Sequence, residues 1–406
     1  MRVALTSFRW PLDPALAQGR DETTLARTLY ATPLRTDAAS GAVVPGLCSA
    51  WKASPDFREW RFTCRAAPSV AAALRRLVRL RDAPAHWLFA AAEHITARGS
   101  STVVVRLRFA WRRFPYALTV VGAAPRFVPG PFRLVSGSSR RVVVRRPGLT
   151  VAFSRLGVRT AVMEFRRGSL DEAPIPVGGV GALRAELPNA VRARTLLGLD
   201  LLSFHRLGRE LRRAYWETAE RGDYEELVNE ARGSSAFGLI GKDEKAHPGR
   251  RRSVENAIRT GTLPRVWVQI DVPVDPVLRY GAGLLYAQWR DDGLGPQLVT
   301  HPERPPNASF LRLLSAYPQE EALLGELVLR DGVGPRARLV RALGATHQHE
   351  QLEALDAEFR ASAVVVPVGW VVDTRLVSPR LEGWREDALG NVDYDVVRPL
   401  ASSRRP

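Results

Sequence analysis

Few side chains in this 406-residue chain stand at spacings that do chemistry. His347-Gln348-His349-Glu350 comes nearest to a metal-ligand set. On a helix, however, positions i and i+2 point to different faces, so the two imidazoles do not converge on one ion. A solvated helix surface is the better reading. Gly178-Gly179-Val180-Gly181 lacks the third glycine of a dinucleotide loop and reads as a turn. Asp291-Asp292 and Glu320-Glu321 read as helix-surface acids. The sequence has no His-Glu-x-x-His, Cys-x-x-Cys, Walker loop or Gly-x-Ser-x-Gly elbow. An enzyme would have no nucleophile, base or cofactor motif to use. The expectation is a protein that is not an enzyme and needs no cofactor or metal.

Cys48 and Cys64 are the only cysteines. Between Cys48 and Arg65 two segments, Trp51 to Ser54 and Trp60 to Arg65, flank the turn-prone Pro55-Asp56. The second segment alternates aromatic and polar residues, which is a hairpin signal. If Trp51 pairs with about Phe62, Cys48 falls opposite Arg65 or Cys64. A disulfide is then within reach, since bridged Cα atoms lie about 5.5–6 Å apart. Two buried reduced thiols fit the same sequence.

The elements that must position any site are those of an α/β protein. At this length one hydrophobic core is exceeded, so two domains are expected. Apolar content of 45% and charge content of 25% are those of a globular chain. No run reaches the roughly 20 apolar residues of a membrane span. After Arg2 only Val3 to Leu5 is apolar, which is too short for a signal peptide. The formal charge is +17 and comes almost wholly from arginine. The arginines are scattered, with short clusters such as Arg140-Arg141, Arg145-Arg146 and Arg250-Arg251-Arg252, and read as a solvated surface; they are not interleaved with stacking aromatics.

Helical periodicity predicts helices near Asp21–Tyr30, over Ser69–Arg81, Arg209–Arg221, Tyr224–Arg232 and Val277–Asp292, and a long helical region over Arg336–Ala361. Alternation predicts strands at Thr102–Phe109, Val266–Val272 and Val364–Val372, and a hairpin from Phe132–Val135 and Arg141–Arg145. Gly238–Arg252 reads as a loop. Strands and helices alternate in both halves, as in α/β lobes.

Tyr30, Pro33-Leu34, Gly41, Pro45, Leu47, Trp51, Ser54, Asp56, Trp60 and Phe62 form an ordered pattern. Leu12-Asp13-Pro14, Gly130-Pro131-Phe132, Phe165 to Asp171, Leu284 to Leu294 and Val364 to Gly383 extend it along most of the chain. Together they resemble the family 5 extracellular solute-binding proteins, the receptors of oligopeptide, dipeptide and nickel importers. The chain is shorter than typical members.

The resemblance implies a two-lobe, periplasmic-binding-protein-like α/β fold, with mixed sheets flanked by helices and a ligand cleft between the lobes. Lobe I would hold residues 1–200 with 376–406, and lobe II residues 201–375. Leu201–Phe204 and Trp370–Arg375 would be the hinge strands. The implied function is the substrate-binding subunit of an ABC importer. Its partners would be a small-molecule or short-peptide ligand and the permease subunits. A monomer without nucleic acid is expected. It would be extracytoplasmic, periplasmic or membrane-tethered, if an export signal precedes Met1, and cytoplasmic if Met1 is the true start. A cytoplasmic ligand sensor of the same fold and a basic nucleic-acid-associated protein are the other readings.

Aromatic walls are what such a cleft requires. Trp10, Trp111, Tyr116, Tyr317 and Trp370 are the candidate ligand-binding residues. Trp51 and Trp60 read as hairpin packing, and Trp216 and Trp289 as helix core. One departure bears on the ligand. Peptide-binding members carry a Trp-x-x-Asp-Tyr-Pro-Asp-Pro-like segment whose first Asp can hold the ligand's amino group. Here Leu313 to Glu320 occupies that place. Ala316 and Gln319 replace the acids, while Tyr317-Pro318 remains.

Overall fold

The computed structural model describes residues 1–230, 235–240 and 251–400. A mixed sheet of ten strands runs through it. From one edge to the other the order is Gly295–Val299, Trp267–Asp271, Ala308–Leu314, Val191–Phe204, Val365–Val377, Glu172–Pro174, Arg2–Leu5, Leu149–Arg155, Arg141–Arg146 and Arg133–Gly137. The two middle strands are 14 and 13 residues long and unite the halves of the sheet. Their apolar runs, Leu199 to Phe204 and Val365 to Val371, are buried throughout, as in strands covered on both faces.

These two strands pair antiparallel from Val191↔Leu376 to Ser203↔Val365. The register shifts between Thr195 and Leu199, and again between Asp200 and Leu201. Such bulges bend a strand and sharpen its twist. Gly198 stands at the bend because the neighbouring strand comes too close for a side chain. A Cβ there would lie 2.6 Å from Leu314 Cδ2 and 2.9 Å from the Leu313 carbonyl oxygen. The expected hinge segments Leu201–Phe204 and Trp370–Arg375 are parts of these longer strands.

A second, antiparallel sheet has four strands, in the order Cys48–Ala53, Glu59–Cys64, Thr102–Leu107 and Ala92–Arg98. Helix Ala67–Arg79 covers it, burying Val70, Leu74 and Leu77. Trp51 pairs with Phe62, and Cys48 with Cys64, whose sulfurs are bonded.

The helices differ from expectation in three places. Arg336–Ala361 is two helices, Arg336–Gly344 and Gln348–Ser362. The first ends where Gly344 packs onto Ala110, with no room for a side chain, and Ala345 turns extended. The two helices expected at Arg209–Arg221 and Tyr224–Arg232 are both present with other bounds, Arg209–Thr218 and Arg221–Leu227, and Arg232 itself lies outside the described residues. Of the expected loop Gly238–Arg252, residues 241–250 lie outside the described residues, while Arg251 opens helix Arg251–Arg259.

Four apolar clusters form the interior. The largest joins the four-stranded sheet and Trp87, Trp111 and Phe114 to Tyr317, Leu323, Leu327, Leu343 and Phe359. It therefore crosses the division expected at residue 200. A second cluster fills residues 202–310 with Ala363, Val366 and Val368. The third and fourth lie on the two faces of the Arg2–Leu5 part of the sheet, Val3 and Leu5 in one and Ala4 in the other.

The Cys48–Cys64 bond closes a loop of sequence separation 16. Restricting the unfolded chain in this way stabilises the fold by about 3 kcal/mol. Cys48→Ser/Cys64→Ser should lower the urea midpoint accordingly, with an m-value equal to or above the parent's because the unfolded chain is no longer held compact. A midpoint within error of the parent would show that the bond does not form.

Candidate ligand cleft

A cleft of about 570 Å³ opens where three of these cores meet. One wall comes from Pro14 to Arg20, the loop Arg81–Ala85 with Trp87, and Val120 to Gly122. The facing wall comes from Asp275 and Leu278 at the start of helix Pro276–Asp291, from Arg312 to Ala316, and from Glu326 and Arg330. Both walls are largely apolar, with charges from Arg20, Arg81 and Asp82 on the first and from Asp275, Arg312, Glu326 and Arg330 on the second. A smaller hollow of about 360 Å³ beside Tyr30 is lined only by residues of 27–65, 129–132 and 387–395, and Arg35 is ion-paired with Asp393 and Asp395 there.

Arg312 forms the floor. Its strand lies beside Val191–Phe204, with Asp200 directly opposite. Nε and Nη2 donate to the two Asp200 oxygens at 2.7 and 2.8 Å, and the Tyr224 hydroxyl donates to the same carboxylate at 2.8 Å. Asp200 is fully buried. Burial opposes the Arg312 charge, and Asp200 more than restores it, so the guanidinium is held above its ordinary pKa. Burial, with Asp200 adding, also pushes the Tyr224 phenol well up.

Beneath the first wall lies a buried ion network. Arg20, at the start of helix Gly19–Leu29, meets Asp373 at 2.9 Å and Glu386 at 3.1 Å. Glu172 lies 3.7 Å from Arg20 and accepts from Trp384 Nε1 and the Tyr394 hydroxyl. Arg375 ties Asp373 to Asp21. Carboxylates outnumber guanidiniums here. Burial raises Glu172 and holds Asp373 well above the usual carboxylate range, against the pull of Arg20.

Glu326 is the acid that faces the cleft with capacity to spare. It opens a π-helical turn, Glu326–Arg330, with Asp331 N–H donating to the Glu326 carbonyl at 3.2 Å. Such turns recur at functional sites. Arg330 Nη1 donates to Oε1. Oε2 is buried and has no hydrogen-bond partner. Burial pushes this carboxyl up to about 7 despite Arg330. The preceding Gly325 exists for Trp87, whose ring lies so close that a Cβ would meet Cζ3 at 2.6 Å.

None of the five expected aromatic residues lines this cleft. Trp111 is fully buried, stacked near Trp87 and Phe109 and edge-on to Phe114. Trp370 is buried on its strand, where its carbonyl accepts from Asn229. Both fill core volume, the usual fate of so large an apolar group. Tyr116 and Tyr317 are brought together, ring centroids 5.6 Å apart, beside the buried Arg113–Glu321 pair. Tyr317 itself is buried. Trp10 is half-buried and lies flat on Gly137 in the edge strand, far along the sheet.

The segment at the usual acid position does reach the cleft, through Ser315 and Ala316. Glu320 does not; it pairs with His349 Nδ1 at 2.8 Å, while Nε2 faces Glu353. The amides of Val180 and Gly181 are taken by Glu230. Among the described residues no group of three or more His, Cys, Asp or Glu side chains is placed to hold a metal. Asp200, Arg312 and Glu326 were missed as site residues. Each carries a signal, a single charge within an apolar run: Leu-Gly-Leu-Asp-Leu-Leu, Ser-Phe-Leu-Arg-Leu-Leu and Leu-Leu-Gly-Glu-Leu-Val.

No family model and no curated protein sequence matches the chain. Solved structures do. The Escherichia coli murein tripeptide-binding protein MppA superposes with a TM-score of 0.84 at 16% identity, covering 99% of this chain and 98% of MppA. Haemophilus influenzae OppA, in complex with the peptide RPPGFSPFR, gives 0.83 at 14% identity, covering 98% and 99%. The unliganded open form of MppA gives 0.75 at 16% identity, covering 100% and 98%. The fold is the two-lobe fold of these peptide-binding proteins, and the resemblance read in the sequence holds at the level of the fold.

Two measurements test this site. Removing Asp200 strands Arg312 and the Tyr224 hydroxyl, so Asp200→Ala should cost about 3 kcal/mol, the range for breaking a buried pair. Unfolding in urea checks it, and a loss under 1 kcal/mol would contradict the pairing. For Glu326, the folded pKa lies above the unfolded one, so the folded state holds its proton more tightly. The stability this gives is complete below about pH 4.5 and is lost as pH rises through 7. Glu326→Gln should remove that decline, about 3 kcal/mol between pH 4.5 and 8. Parallel stability–pH curves for parent and variant would refute it.

Proposed function

We propose that this chain is the ligand-capturing subunit of an ABC importer, acting outside the cytoplasm and taking a peptide-like solute with a free amino group. The carrying observation is Glu326, which lines the cleft and keeps one carboxylate oxygen buried and without a hydrogen-bond partner. An ammonium group there would gain a charge-assisted hydrogen bond in a site of low dielectric. Glu326 would thus stand in for the acid replaced by Ala316. Arg312 and Arg81 on opposite walls suit the carbonyls and carboxylate of the same ligand.

The expected lobes, 1–200 with 376–406 and 201–375, place one cleft wall on each. Opening on that division would part Trp87 from Gly325 and Arg113 from Glu321. The shared apolar core therefore favours the closed arrangement, which agrees with the lower score against the open form of MppA.

Titration calorimetry with di- to pentapeptides tests the reading. A peptide with a free amino terminus should bind, and its N-acetylated form about 10–100-fold less tightly, the worth of a hydrogen bond to a charged group. Below pH 7 affinity should fall about tenfold per unit as Glu326 takes up its proton, and Glu326→Gln should flatten that slope. Equal binding of free and acetylated peptides would remove Glu326 from its role. No binding of any peptide would end the peptide reading.

A further inference from the structure

From His94 to Met163 the sequence holds thirteen arginines and not one carboxylate. These 70 residues carry +13 of the formal +17, and the other 336 are nearly balanced. Five of the arginines, Arg133, Arg140, Arg141, Arg145 and Arg155, gather on the last strands of the large sheet. All five are exposed, and none forms an ion pair among the described residues.

Their placement is ordered. Arg141, Val143 and Arg145 alternate onto one face of their strand. Arg133 stands directly opposite Arg145. At the other end, the Arg155 amide donates to the Arg140 carbonyl at 2.8 Å. Four residues of strand spread the charges over about 13 Å. Like charges directly opposite across strands are destabilising unless an anion is near. Beside them the edge strand Arg133–Gly137 is exposed at every residue, with Leu134 and Val135 each 51% exposed.

We propose that the edge strand Arg133–Gly137 docks edge-on against an anionic phospholipid bilayer, with Arg133, Arg141 and Arg145 meeting headgroups from one face of the sheet and Leu134, opposite Val144, meeting the acyl boundary from the other. The spread of charge suits an extended surface better than a single phosphate. Attraction to such a surface acts within a Debye length, so it requires basic groups together on one face. Exposed aliphatic side chains among cations are the pattern of interfacial binding. Single-stranded nucleic acid fits less well, because the hairpin exposes no aromatic ring for stacking, and duplex DNA is the competitor the test must separate. Charges also guard an edge strand against pairing with other chains, but that role is weakened by leaving two large aliphatic residues exposed beside them.

Vesicle sedimentation of the whole chain tests this. The protein should bind phosphatidylcholine vesicles containing 30% phosphatidylglycerol and not pure phosphatidylcholine. Arg133→Glu/Arg141→Glu/Arg145→Glu should weaken partitioning by about 100-fold, at roughly fivefold per arginine near the surface. Arg304→Glu/Arg336→Glu/Arg341→Glu makes the same charge change at exposed positions elsewhere and should weaken it less than tenfold. Leu134→Ser/Val135→Ser should reduce the binding that survives high salt. Circular dichroism and melting confirm folding, with arginine-to-glutamine variants as substitutes where needed. Equal loss in both triple variants would reduce the effect to net charge and overturn the proposal. No binding to anionic vesicles, or tighter binding to duplex DNA than to vesicles at equal salt, would also overturn it.

Discussion

The Asp200–Arg312 pair is the contact on which the centre of this molecule turns. It spans two neighbouring strands in direct register, at the point where the long strand Val191–Phe204 shifts its pairing with Val365–Val377. Asp200 is fully enclosed, so its charge persists only because the guanidinium fork and the Tyr224 hydroxyl occupy it. A slip of one residue would turn Asp200 into apolar surroundings and leave Arg312 without a partner. The pair therefore selects the register of the sheet's middle. It also aims Arg312 into the cleft, so the same contact fixes a strand and places a charge.

The apolar packing around the cleft leads to a second constraint. The largest core joins the four-stranded sheet to helices that follow residue 317, across the division expected between lobes. Trp87 on Gly325 and Arg113 with Glu321 sit in that junction. Exposing such surface costs about 25 cal/mol per Å² of apolar area. A binding protein that must open would pay that cost at every cycle. The helix Ala67–Arg79 follows strand Glu59–Cys64 after only two residues, Arg65 and Ala66.

How much was legible follows from the range of the interactions. The Cys48–Cys64 hairpin could be read because its alternation and its Ser54-Pro55-Asp56 turn are local. Its pairing of Trp51 with Phe62 follows from them. The middle strands could be placed but not bounded, because their register shifts and the close approach of Leu314 to Gly198 involve partners over a hundred residues away. The aromatic residues misled. Trp111 and Trp370 occur at irregular or returning segments, where a cleft wall was expected, yet volume in the core claims them. Residue type alone does not distinguish an indole that lines a cavity from one that fills it.

Glu326 shows what distinguishes the two cases for a charge. An aromatic side chain is stable in either place, whereas a carboxylate in an apolar run has few stable options. It must be paired, protonated or facing a ligand. Arg330 engages one oxygen, burial raises the pKa to about 7, and the second oxygen remains unpartnered. The first two responses are present in part, and neither is complete. The π turn that carries the residue spends helix regularity to hold it at the cleft. Ala316, at the place of the familiar acid, lines the same cleft without charge. The strand end at Ala316 carries no carboxylate and the adjoining helix carries Glu326, so the cleft has an acid at a position that no sequence motif marks.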